Sequence, residues 1–328
     1  MIQTAFLGDA VLTTPLIAEL AKRCPVDVVT TPAAGAVLAN NPAIRSLITY
    51  DKHGADGGVG GFLRLASRLR RAKYDAAYLA QQSVRSGALA LASGARTRVG
   101  FATSAGRLFY TNRVEYRRDV HHAARLLGLV DANGAGDARP RLFPGIAERA
   151  AVDRLLSLHE SASEAPLVAL APGSIWATKR WPYYPDLARE LGHEARIVVL
   201  GSADDQALAK EVARAGGANA INSAGALSLL ASAELIRRCR LIVTNDSAPQ
   251  HLASAMGTPT LTLFGPTAPL FGFGPLAPSS QAAGVEDLSC RPCNPHGPHK
   301  CPLGHWRCML ELSPAQVTQR VRDILSAP

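Results

Sequence analysis

Short apolar runs alternate with stretches of helical periodicity along the first half of the chain. Met1–Leu7, Val26–Thr31, Leu47–Tyr50, Tyr74–Ala80 and Thr97–Phe101 read as strands, with helical patterns between them. A strand, crossover helix, strand rhythm predicts a parallel sheet covered on both faces. Gly57–Gly61, rich in glycine, reads as a mobile loop. Around Pro140–Pro144 the pattern breaks, and a charged helix from about Ile146 to His159 leads into a second series of strands: Leu167–Ala171, Ala195–Gly201, Leu241–Asn245 and Pro259–Phe264. The expected division is therefore residues 1–145 and 146–328, two doubly wound α/β units side by side. Such a pair has a cleft at the carboxyl ends of its strands, where open parallel sheets bind ligands. A closing helix is expected at Pro314–Leu325, capped by Ser313.

Composition agrees with this architecture. The chain has 328 residues, enough for two cores, and only 5% aromatics, as suits helices packed closely on parallel strands. Charge changes the picture more. The net +9 sits in the first half, where residues 1–150 hold 20 Lys+Arg against 11 Asp+Glu, while residues 151–328 are balanced at 15 each. Such asymmetry fits an anionic partner: nucleic acid, an acidic membrane surface or a phosphorylated sugar. The first residues lack the basic start of a secretion signal, and no apolar run approaches a membrane span, so the expected location is the cytoplasm.

Three segments follow predicted strands and carry polar side chains at their carboxyl ends. Phe6-Leu7-Gly8-Asp9 leads into Leu12-Thr13-Thr14-Pro15. Asp9 reads as a carboxylate able to accept a proton from a substrate hydroxyl, or as an ordinary helix N-cap. The local sequence favours the cap. Pro172-Gly173-Ser174, with Lys179-Arg180-Trp181-Pro182, offers backbone amides and one lysine suited to a phosphate, without a Walker pattern; an exposed loop anchored by Trp181 is the plain alternative. Thr244-Asn245-Asp246-Ser247, followed by His251, is a dense polar turn at a helix start, where free amides and the positive dipole end favour anions.

Cys290, Cys293, Cys301 and Cys308 form C-x2-C-x7-C-x6-C, with His296, His299 and His305 interspersed. That set allows a structural zinc site, although its spacing is not that of a standard finger. Disulfides or free thiols in a Pro-rich surface loop are the alternatives. Cys24 and Cys239 are isolated and read as core or helix-face residues.

Taken together and in order, these three segments resemble glycosyltransferase family 9, which contains the ADP-heptose:lipopolysaccharide heptosyltransferases. Tyr74-Asp75, the entry Gly94–Phe101 and Leu263-Phe264-Gly265-Pro266 extend the resemblance over nearly the whole chain. It implies a GT-B fold of two Rossmann-like domains, and an inverting, metal-independent transfer from an ADP-activated heptose held mainly by the C-terminal domain. No cofactor is then required for catalysis. By motif, Asp9 matches the general base and Lys179 the diphosphate contact, with Ser174 adding a hydrogen bond. Asp246, Ser247 and Ala248 match contacts to the donor's sugar and phosphates, with His251 beside the diphosphate. Asp204 is assigned to the ribose hydroxyls and Leu227 to the adenine, both on looser motifs. Two departures stand out. Ala248 occupies the family's usual glycine, and the first strand starts only a few residues before Gly8, as a truncated edge strand or a late start codon would give.

The acceptor implied by the resemblance is an anionic, lipid-linked core oligosaccharide bound to the N-terminal domain, which accounts for the basic half. Arg64, Arg68, Arg85, Arg107 and Arg113 are the candidate contacts. The same charge suits peripheral contact with an anionic inner leaflet. Competing readings are a family member with another nucleotide sugar or acceptor, a nucleotide-sugar epimerase of the same architecture, and a zinc-bearing nucleic-acid-binding protein. The scarcity of aromatics and the lack of a basic recognition helix weigh against the last, so nucleic acid is not an expected partner.

Overall fold

A computed structural model describes residues 1–131, 136–159 and 165–327. The chain divides into two compact units, Met1–Phe143 and Pro144–Pro328.

In the first unit the strands are β1 (Ile2–Gln3), β2 (Asp27–Thr30), β3 (Ser46–Thr49), β4 (Ala76–Tyr78), β5 (Thr97–Phe101) and β6 (Asn112–Val114). They pair in parallel as β1-β2-β3 and β4-β5-β6, and a parallel bridge from Ile2 to Leu79 joins the two ladders. The resulting order, β3-β2-β1-β4-β5-β6, is that of a dinucleotide-type doubly wound sheet with its switch point between β1 and β4. The helices are α1 (Leu7–Leu12), α2 (Thr14–Ala21), α3 (Pro32–Leu38), α4 (Gly58–Arg71), α5 (Val84–Ala92) and α6 (His122–Leu127). Leu65, Ala66 and Leu69 of α4 and Leu89 and Ala90 of α5 share one core cluster with Ile2, Val29, Ile48 and Ala77 from the strands and with Leu79 just after β4. Both helices therefore cover the same face of the sheet.

Two expectations fail here for local reasons. The glycine-rich stretch read as a loop is the first turn of α4. Gly61 lies so close to the preceding chain that a Cβ there would fall 2.0 Å from the Asp56 carbonyl oxygen, so glycine serves packing rather than mobility. The first strand is also much shorter than its apolar run, because α1 already begins at Leu7.

The second unit holds β7 (Leu167–Ala171), β8 (Arg196–Val199), β9 (Ile221–Asn222), β10 (Leu241–Asn245), β11 (Thr260–Leu263) and β12 (Gln281–Ala283). They form one parallel sheet ordered β12-β11-β10-β7-β8-β9, the same order as in the first unit, with the switch point between β7 and β10. Its helices are α7 (Ile146–Ser157), α8 (Tyr184–Leu191), α9 (Gln206–Ala215), α10 (Leu229–Arg238), α11 (Ala248–Met256), α12 (Arg307–Leu310) and α13 (Pro314–Ser326). Ser313 caps α13 as expected, accepting the Gln316 amide in a capping box. The short strands β6, β9 and β12 lie at or near sheet edges and lack the continuous apolar runs that mark the others. Among the described residues no helix is long and apolar enough to cross a membrane.

Candidate active site

In the first unit, Asp9 is neither in the turn after β1 nor at the N-cap. Phe6 is the N-cap residue of α1 and offers no side-chain hydrogen bond, and Asp9 is the third helical residue. From there its carboxylate accepts the Phe6 amide, the reciprocal half of a capping box. Burial nevertheless dominates its electrostatics. The side chain is 23% exposed, and desolvation pushes its pKa up to about 6 against the opposing pull of that amide. A carboxylate held near 6 is poised to take a proton at neutral pH.

His122, the first residue of α6, places Nε2 3.9 Å from Asp9 Oδ1. Its Nδ1 lies 3.4 Å from the guanidinium of Arg125, which also donates to Tyr116 Oη at 2.7 Å and to the Val120 carbonyl at 2.9 Å. A guanidinium only donates. A neutral imidazole that accepts at Nδ1 carries its proton on Nε2, the nitrogen nearer Asp9. Behind β1, the Thr4 amide donates to Gln81 Oε1 at 2.7 Å, and Lys52 Nζ donates to the Thr4 carbonyl at 2.7 Å. Sequence reasoning missed His122, Arg125, Gln81 and Lys52, since each joins the site across a long stretch of chain.

In the second unit the loops after β7 and β10 meet at the switch point. Asn245 ties them together: its amide nitrogen donates to the Pro172 carbonyl at 2.8 Å, and its oxygen accepts the Trp181 amide at 3.1 Å. Lys179 and Asp246 form an ion pair at 2.7 Å, the two side chains being 8% and 10% exposed. The same Asp246 oxygen, Oδ2, accepts Thr267 Oγ1 at 2.8 Å. Oδ1 is thereby left to other donors. Ser247 is the N-cap of α11 without a side-chain cap bond, and Pro249 follows at the second helical position. The backbone amides of Ser247 and Ala248 have no acceptor among the described residues, and both residues are half-buried, so these amides are open to an anion.

The remaining assigned residues are less concentrated. Ser174 is buried and accepts the Trp176 amide at 3.3 Å, shaping its own loop. His251 is buried one turn into α11, edge-on to Phe273 with ring centroids 6.4 Å apart. Asp204 is exposed and makes no hydrogen bond among the described residues, whereas its neighbour Asp205 accepts the Ser202 amide and hydroxyl at 2.9 and 2.7 Å. Leu227 is half-buried just before α10. In the first unit Arg64, Arg68, Arg85, Arg107 and Arg113 are all exposed; Arg64 lies 3.7 Å from Asp56, and Arg113 donates to the Arg107 carbonyl at 3.1 Å.

The four cysteines of the zinc expectation lie within electrostatic reach of one another. Among the described residues no group of three or more His, Cys, Asp or Glu is placed to hold a metal ion. Cys308 is buried on α12 in the core, Cys293 is exposed, and Cys290 Sγ faces His305 Nε2 at 3.9 Å. At Cys301 burial raises the thiol's pKa, but the nearby amides of residues 303–306 outweigh it and the pKa is lowered. This segment also walls in the Lys179 loop. Thr178 Oγ1 donates to the Pro298 carbonyl, Trp306 Nε1 donates to the Thr178 carbonyl at 2.9 Å, and the Trp176 and His299 rings lie 4.3 Å apart.

The profile described as Glycosyltransferase family 9 (heptosyltransferase) matches residues 62–304. The chain is 27% identical to lipopolysaccharide heptosyltransferase 2 of Salmonella typhimurium, over 99% of this chain and 98% of that one. It is 28% identical to lipopolysaccharide heptosyltransferase 1 of Pseudomonas aeruginosa, with 100% and 98% covered. Among solved structures, a family 9 glycosyl transferase from Veillonella parvula superposes with a TM-score of 0.84 at 24% identity, covering 99% and 95%. The ADP-heptose heptosyltransferase II of E. coli gives 0.79 at 24%, covering 99% and 97%. At that identity the structural likeness carries the fold, two Rossmann-like domains of the GT-B class. Since the profile spans well over half of its length, the chain belongs to glycosyltransferase family 9, the heptosyltransferases.

Proposed function

We propose that the chain moves heptose from an ADP-activated donor to the inner core of lipopolysaccharide, by an inverting transfer that needs no metal. The observation that carries this reading is the buried Lys179–Asp246–Thr267 cluster beside the open amides of Ser247 and Ala248, at the switch point of the second sheet. Those groups suit a diphosphate ester. The bond that breaks, from anomeric carbon to phosphate oxygen, leaves a negative charge on ADP. Lys179 and the two amides are donors already oriented for that charge, so little reorganisation is needed. Asp246, held at Oδ2, keeps Oδ1 for hydroxyls of the sugar. Ser174, His251, Asp204 and Leu227 complete the donor assignment in this reading, with the last two toward ribose and adenine.

Asp9 is the general base. Its carboxylate takes the proton of the acceptor hydroxyl as that oxygen attacks the anomeric carbon, and the leaving ADP departs from the opposite face, giving inversion. The acceptor, an anionic lipid-linked oligosaccharide, is assigned to the basic first unit through Arg64, Arg68, Arg85, Arg107 and Arg113. Transfer from ADP-heptose to truncated core acceptors tests the reading directly. Product that appears with wild type and disappears with Asp9→Ala, while ADP still binds, is the expected result. Turnover of the nucleotide sugar without any acceptor would instead favour an epimerase, and normal turnover by Asp9→Ala would remove the proposed base.

A further inference from the structure

The side of the first unit covered by α4 and α5 carries a pattern that the proposed chemistry does not use up. Because both helices bury one face in the same core cluster, their opposite faces look outward together. The 3-10 turn Arg107–Phe109 packs against α5 where Gly87 permits it: a Cβ on Gly87 would lie 2.9 Å from the Gly106 carbonyl oxygen. On this outward side Val59, Leu63, Val84 and Leu108 are 74%, 59%, 53% and 78% exposed. From Gly58 to Arg113 the chain has ten basic residues and a single acid, Asp75. Arg68, Arg85 and Arg107 make no ion pair among the described residues.

Topology gathers these groups at one edge. In right-handed crossovers between parallel strands, each helix starts at the carboxyl edge of the sheet. Val59 and Leu63 lie in the first two turns of α4, Val84 opens α5, and Leu108 follows β5. That edge is also where Asp9 follows β1. Four large apolar side chains in water, set among unpaired guanidiniums, match an anionic bilayer interface: the apolar groups enter the acyl boundary while the arginines meet lipid phosphates. A soluble anionic sugar would occupy the arginines and leave the apolar groups in water.

We propose that this edge of the first unit is a docking surface for an anionic phospholipid bilayer, with Val59, Leu63, Val84 and Leu108 as the inserted groups. The inference deepens the reading of a lipid-linked acceptor and rests on it for why docking would serve the reaction. Co-sedimentation of the full chain with vesicles of phosphatidylcholine alone, or with added phosphatidylglycerol, both free of glycolipid, tests it. At low salt the anionic vesicles are expected to carry the protein down and the neutral ones to leave it in solution. Leu63→Ser combined with Leu108→Ser should weaken binding to anionic vesicles about tenfold or more, with transfer to a soluble, delipidated acceptor unchanged. Anionic vesicles that bind the double variant as tightly as wild type, or that fail to bind wild type at all, overturn the proposal. Failure of wild type to transfer to the soluble acceptor would instead sink the transferase reading, and the vesicle result would still decide docking.

Discussion

At the scale of single residues, Asp9 shows how burial makes a helix-start carboxylate a stronger proton acceptor. Folding raises its pKa from near 3.8 to about 6, so the folded chain holds this proton more tightly than the unfolded chain does. The group's contribution to stability therefore falls as pH rises from about 4 to about 6, and above that the charged form costs on the order of 1 to 3 kcal/mol. Asp9→Asn should melt at a higher temperature than wild type at pH 7.5 while losing transfer, and a melt without that gain would contradict the desolvation argument. Wild-type transfer should rise with pH through an acid limb near 6. Removing the imidazole whose Nε2 lies 3.9 Å from the carboxylate, in His122→Ala, should move that limb to higher pH, read from kcat against pH. Lys179 and Asp246 make the opposite case. Removing one partner of a buried pair strands the other charge, so Lys179→Ala should cost about 3 to 5 kcal/mol by denaturant unfolding. Lys179→Met combined with Asp246→Leu should recover most of that stability without recovering ADP affinity.

At the scale of elements, the same device recurs: a loop is fixed by contacts from chain far away. Lys179 and Asp246 are 67 positions apart, Trp181 and Asn245 64, Thr178 and Pro298 120. The cysteine-rich segment belongs to this set, since it presses on the Lys179 loop through Gly297, whose φ is +80° and whose missing Cβ would sit 3.0 Å from Lys179 Cε. Gly297→Ala should therefore cost about 1 to 2 kcal/mol of stability, from the left-handed backbone conformation and the crowding together. It should also weaken ADP binding, which calorimetry reads independently of the melt. If only the melt moved, the segment would be a brace for the fold and no part of the donor site.

At the scale of the whole molecule, the two units share one strand order and differ in charge, the excess of Lys and Arg lying in residues 1–150. An anionic acceptor on the first unit and a donor held by a few buried groups of the second predict different responses to salt. Raising ionic strength should raise KM for the acceptor several-fold, because exposed arginines are screened over a Debye length of about 8 to 10 Å. The donor KM should change far less, since the Lys179–Asp246 pair is buried. Equal salt dependence of the two constants would remove the assignment of the acceptor to the basic unit.

Much of this was open to reading in the chain itself. The long apolar runs Leu167–Ala171 and Leu241–Asn245 are strands because residues buried on both faces of a parallel sheet leave a continuous apolar signal. Three ordered motifs then place Asp9, Lys179 and Asp246 in the segments that follow β1, β7 and β10. Short strands such as Ile221–Asn222 and Gln281–Ala283 leave no such signal, and the Gly57–Gly61 stretch reads as a loop until the Asp56 backbone explains its glycines. Residue order alone thus determines which segments form the sheets and which polar groups stand at their carboxyl edges. Tertiary structure alone decides that burial pushes the pKa of Asp9 up to about 6, that Thr267 and Lys179 hold one oxygen of Asp246, and that His122 turns Nε2 toward the Asp9 carboxylate. Each of these depends on which atoms of distant segments exclude water from a group or reach hydrogen-bonding distance of it, and only the packed chain brings those segments together.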